Sequence, residues 1–166
     1  MRKWCLLLFF HAALLVTGQN TLDLSKPLVL GHFDENQHFI WEVNKTDLKE
    51  QINTLVGPSS SPFTQIALAE EKNARSQESL LFLELKSEKG QRIFYKWLVQ
   101  KGNQILLGSS DDFTYQALTN FIICEGVSNC APELLYDGTS YELSCQKSNY
   151  FSNETNCKRT VGRFVP

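Results

Sequence analysis

The stretch from Ser79 to Leu107 constrains the fold of this chain more than any other. It reads SLLFLELK, SEKGQ, RIFYKWLVQ, KGN and QILL in succession. Leu81, Leu83 and Leu85 alternate along the first apolar run, and Ile93, Tyr95, Trp97 and Val99 along the second. A period of two is the pattern of strands buried on one face. Each break holds a glycine, Gly90 and then Gly102, among charged and polar residues, which suits tight hairpins. Three neighbouring antiparallel strands are therefore expected, with Ile93, Tyr95, Trp97 and Val99 facing the same interior as Leu81, Leu83 and Leu85.

The rest of the chain adds short extended segments and one helix. Leu28 to Phe33 and His38 to Val43 flank the turn Asp34-Glu35-Asn36, and Phe63 to Glu71 follows the loop Pro58 to Pro62. Beyond the polar tip Ser109 to Asp112, Tyr115 to Cys124 places Tyr115, Ala117, Phe121 and Ile123 on one face. Asp137-Gly138 separates two further strands, Glu133 to Tyr136 and Ser140 to Cys145. Leu48, Ile52, Leu55 and Val56 recur at helical spacing. Asn44 or Thr46 can cap the start of that helix, and Gly57-Pro58 ends it. The expected fold is mainly β, an antiparallel meander closing as a barrel with one short N-terminal helix. The alternative is an α+β sheet with the helix packed against it.

Residues 1–18 read as a secretory signal peptide. Arg2 and Lys3 precede the apolar run Trp4 to Val16, and Val16-Thr17-Gly18 forms a small-residue cleavage site before Gln19. One secreted domain spanning 19–166 is expected, extracellular, monomeric and without a membrane span. Without Arg2 and Lys3, 14 basic side chains remain against 18 acidic, a formal charge of −4. With no basic run interleaved with aromatics, the chain carries no electrostatic footprint for nucleic acid. Cys5 leaves with the signal. Cys124, Cys130, Cys145 and Cys157 remain, an even set that in an oxidising compartment reads as two disulfides. The spacing leaves all three pairings open and does not fit a zinc site. Asn44-Lys45-Thr46 and Asn153-Glu154-Thr155 are N-glycosylation acceptors at Asn44 and Asn153.

Catalytic and cofactor chemistry find little support. There is no Gly-x-Ser-x-Gly elbow or phosphate-binding glycine loop, and neither His32 nor His38 has a nucleophile beside it. A metal site can be drawn through His32, Asp34, Glu35 and His38, but a polar turn between strands explains the same residues. No enzyme activity, cofactor or metal is expected. The aromatic inventory of the central strands suggests a pocket instead: Leu81, Leu83, Tyr95, Trp97, Tyr115 and Phe121 are the candidate ligand-binding residues.

Ser140-Tyr141-Glu142-Leu143-Ser144-Cys145, late in a chain with a signal peptide and a long meander, resembles the Tyr-Glu-Leu-Trp segment of arthropod salivary lipocalins. Ser144 stands where that segment has tryptophan, and the Gly-x-Trp signature of lipocalins is absent. The resemblance implies a lipocalin-like barrel that sequesters a small hydrophobic or amine ligand. A second resemblance is to cystatins, in which two disulfides follow a helix and a meander. Here Gln51 to Gly57 departs from their Gln-x-Val-x-Gly loop, and a late tryptophan is missing. That likeness implies a module or protease inhibitor that binds an extracellular protein through exposed loops.

Overall fold

A computed structural model describes residues 22–24, 26–72, 79–108, 120–126, 130–136, 138–139, 141–147 and 157–164. The chain forms β1 (Leu28–Phe33), β2 (Phe39–Trp41), α1 (Lys45–Leu55), β3 (Phe63–Lys72), β4 (Ser79–Ser87) and β5 (Arg92–Trp97). It continues as β6 (Val99–Lys101), β7 (Gln104–Leu107), β8 (Asn120–Glu125), β9 (Cys130–Tyr136), β10 (Tyr141–Lys147) and β11 (Lys158–Arg163). Among the described residues all pairings are antiparallel. A five-stranded sheet runs β11-β8-β5-β4-β3, a four-stranded sheet β2-β1-β7-β6, and β9 and β10 form a separate hairpin.

Only Leu98 separates β5 from β6, so one extended run passes from the larger sheet into the smaller. Leu98 is buried, and its amide donates to the Leu81 carbonyl at 2.8 Å. The main core lies between the two sheets. It joins Leu30, Ile105 and Leu107 to Leu81, Leu83, Leu85, Phe94, Phe121 and Ile123. α1 contributes Leu48 and Ile52, both fully buried, to the same cluster. Among the described residues the strands do not close into a ring: β3 and β11 stay at the edges of the larger sheet, β2 and β6 at those of the smaller. Among the described residues the mainly β antiparallel class and the one helix agree with the sequence expectation.

The helix begins where the sequence places it. Asn44 is the N-cap, its Oδ1 accepting from the amides of Thr46 and Asp47. Leu55, expected on the buried stripe, is instead 47% exposed, because it ends the helix and Val56 makes the core contact. At the other end of the adjoining loop, Asn53 Nδ2 donates to the Phe63 carbonyl at 3.0 Å, and the Phe63 amide donates back to Asn53 Oδ1 at 2.9 Å. A register shift between Phe63 and Gln65 then turns Phe63 to the same face as Ile66 and Leu68. Bulge and clamp together bring Phe63 into the core.

The three inner strands of the larger sheet, β4, β5 and β8, are buried on both faces. Their second face carries Leu80, Phe82, Tyr95, Trp97, Ile122 and Cys124, covered by Cys130 and Leu143 of the β9–β10 hairpin. Two disulfides hold that cover in place, Cys124–Cys145 from β8 to β10 and Cys130–Cys157 from β9 to the residue before β11. They select one of the three pairings that the sequence leaves open.

Candidate functional site

The residues expected to share one pocket do not share one face. Phe82 pairs with Trp97, Leu83 with Lys96, Glu84 with Tyr95 and Leu85 with Phe94. Odd-numbered residues of β4 therefore lie beside even-numbered residues of β5. Leu81, Leu83 and Phe121 belong to the core between the sheets, at 8%, 0% and 6% exposure, packed with Phe94 and Phe164. Tyr95 and Trp97 belong to the opposite face, with Phe82 stacked on Tyr95 at 4.5 Å and Tyr141 set edge-on to Trp97 at 5.3 Å. The shared interior expected for Ile93, Tyr95, Trp97 and Val99 with Leu81, Leu83 and Leu85 is corrected accordingly: the turn at Gly90 sets a register of the other parity. Tyr115 and Asn153 lie outside the described residues, as do residues 1–18.

Tyr95 and Lys96 carry polar groups into these layers. The Tyr95 hydroxyl donates to Glu71 Oε1 at 2.6 Å, and burial together with that bond pushes its phenol up. Lys96 is fully buried on the face shared by Leu83 and Phe121. Burial, reinforced by the positive charge of Arg163, brings its ammonium down to about 7. In sequence Lys96 alternates with Tyr95 and Trp97 and so reads as a solvent-facing position; no local signal marks it as buried.

The histidines sit in an ordinary hairpin. His32 Nδ1 lies 2.7 Å from Glu42 Oε1, and His38 Nδ1 lies 3.6 Å from Asp34 Oδ2. Asp34 Oδ1 accepts the His38 and Asn36 amides, and these bonds, the His38 one first, hold its carboxyl below the usual range. Among the described residues no group of three or more His, Cys, Asp or Glu side chains is placed to hold a metal.

Two surface clefts are lined by described residues. One, of about 360 Å³, lies between the β1–β2 and β6–β7 turns, with Phe33 on its wall and Asp34, Glu35, Gln37, Gln100 and Asn103 around it. The other, of about 340 Å³, lies at the end of the main core, where the loop residues Ser59–Ser61 face Gln91, Arg92, Glu125 and Gly126. Arg92 is 7% exposed, and its guanidinium stacks 4.7 Å from the Phe63 ring. Sequence reasoning singles out neither Arg92 nor the serine run, which lie some thirty residues apart and meet only through the Asn53 clamp and the bulge at Phe63.

Asn44 is exposed. Its capping oxygen faces the helix, which leaves the amide nitrogen, the atom a glycan would use, on the solvent side. No helix among the described residues is long and apolar enough to cross a membrane. The chain matches no known family model, no curated protein and no solved structure.

Proposed function

We infer that the protein is a secreted, non-enzymatic binding module that acts on an extracellular protein through exposed surface residues. The observation that carries this reading is the packing between the two sheets. Where a ligand-carrying barrel keeps its interior open, this interior takes in Leu48 and Ile52 of the helix together with Leu81, Leu83, Phe94 and Phe121. Contact is then left to the periphery. At the end of the β9–β10 hairpin, Leu135 and Tyr136 are 37% and 40% exposed, apolar side chains carried on a disulfide-held element. Secretion is supported by the signal-like start, the even cysteine set and the two bridges. Occupied glycans at Asn44 and Asn153 belong to the same reading.

Native mass spectrometry of the secreted protein tests it. The expected result is a ligand-free monomer that forms a saturable complex with an extracellular protein, weakened when Leu135 and Tyr136 are both changed to Ser. A small molecule co-purifying at one per chain, with quenching of Trp97 on adding apolar amines, would replace this reading with the ligand-carrying one.

A further inference from the structure

The cleft beside Ser59–Ser61 is built around a buried charge with unused donors. Its walls are fixed on both sides. The Asn53 clamp holds the end of the serine loop at Phe63, and the Ser61 amide donates to Ser59 Oγ at 3.1 Å. Opposite, the Arg92 amide donates to Ser87 Oγ at 3.1 Å, and the Gly126 amide donates to the Gln91 carbonyl at 2.9 Å. Arg92 lies on the core face of β5, in line with Phe94 and Lys96, and closes the end of the core against the Phe63 ring.

Arg92 has one acid beside it. Glu125 Oε1 is 2.7 Å from Arg92 Nε, too far off the N–H direction to accept a hydrogen bond. Among the described residues neither Nε nor Nη1 finds an acceptor, although both are buried. A guanidinium offers five donors in a planar fork; Glu125 pairs its charge, but buried donors that make no hydrogen bond are costly. Two oxygens of a carboxylate or phosphate match that fork. Glu125 is itself one-third exposed and has Lys158 Nζ 3.9 Å from its Oε2, so it can turn outward and remain paired. The Arg92 guanidinium and the serine run Ser59–Ser61 then line the vacated space, while Lys158, outside the cleft, keeps the displaced acid. The volume of about 340 Å³ suits a small molecule.

We propose that this cleft binds a small molecule through an oxyanion group, carboxylate or phosphate, held by Arg92 and the hydroxyls of Ser59–Ser61, with Glu125 as the resident carboxylate that the ligand displaces. The site is independent of the protein-binding reading above and would remain if no protein partner were found.

Amide and Arg Nε–H NMR shifts of the labelled mature protein test it, with inorganic phosphate, succinate and neutral succinamide as probes at constant ionic strength. The expected result is saturable shifts at Ser59–Ser61, Gln91, Arg92 and Gly126 with phosphate or succinate and none with succinamide. Which of the two anions binds more tightly identifies the oxyanion. Glu125→Gln should tighten binding by about threefold or more, because the internal competitor is neutralised. Arg92→Lys keeps the charge and loses the fork, so binding should weaken about tenfold while the remaining amide spectrum stays native. The proposal is overturned by an absence of saturable shifts, by equal shifts with succinamide, by Glu125→Gln binding no more tightly than wild type, or by a folded Arg92→Lys variant that binds unchanged.

Discussion

Lys96 makes stability depend on pH in a way that the fold dictates. Its ammonium is fully buried between Leu83 of β4 and Phe121 of β8, and titrates at about 7 in place of 10.5. The folded value lies below the unfolded one, so between these two pH values the unfolded chain holds a proton that the folded chain has released. Stability from this group therefore rises with pH through that window and is flat below it. The gap corresponds to a penalty of about 4–5 kcal/mol carried in full at acid pH. Of that, about 2–3 kcal/mol is relieved between pH 6 and pH 9. Lys96→Met keeps the length of the side chain and removes the titration. Urea unfolding of both proteins across that range isolates the effect, because every other titrating group cancels in the difference. Wild type should gain about 2–3 kcal/mol on the variant as pH rises. A difference that stays constant with pH would refute the reasoning, since Lys96 would then be charged throughout and compensated within the core.

Three further outcomes follow from the geometry. Removing the Cys124–Cys145 bridge by a double change to Ser should cost about 3 kcal/mol for its 21-residue separation and shift Trp97 emission to the red, because that bridge ties β10 over Trp97; urea titration followed by fluorescence measures both. Leu83→Ala should cost about 2–5 kcal/mol by thermal or urea unfolding and leave the Trp97 emission maximum unchanged, because the two side chains lie on opposite faces of the sheet. If Asn44 carries the proposed glycan, Asn44→Asp should keep the helix cap and remove the glycan, whereas Asn44→Ala should lose both and about 1 kcal/mol of stability; a glycosidase gel shift and a melting curve separate the two.

The sequence shows the strands of this fold more clearly than their partners. Alternation along Ser79–Ser87 and Arg92–Trp97 locates β4 and β5, and Asn44 and Gly57 bracket the helix. Register escapes the same pattern because it depends on the parity of the turn. Lys86 pairs with Ile93 across the turn at Gly90, whose amide donates to the Ser87 carbonyl, and one residue more or less would exchange every face. A clue was present: Leu80 to Leu83 is continuously apolar, as is Trp97 to Val99, and a sheet covered on only one side has no use for such runs. β11 leaves almost no trace, since Val161 is the only apolar residue between Lys158 and Arg163. It forms because the exposed edge of β8 offers backbone partners from Asn120 to Glu125, and Phe164 beyond it reaches the core.

The same reasoning explains why the Arg92 cleft is invisible in one dimension. A Ser-Ser-Ser run after Gly57-Pro58 reads as loop, and an arginine opening a strand reads as a hairpin charge. Their meeting depends on facts of register. The shift after Phe63 turns its ring inward, and the parity of the Gly90 turn puts Arg92 on the same face as Phe94, over that ring. Had the turn been of the other parity, Arg92 would point toward the face of Tyr95 and Trp97, and the buried guanidinium would not exist. A charge brought inside by register, with Glu125 beside it and two donors unspent, is a feature that only the folded chain can display.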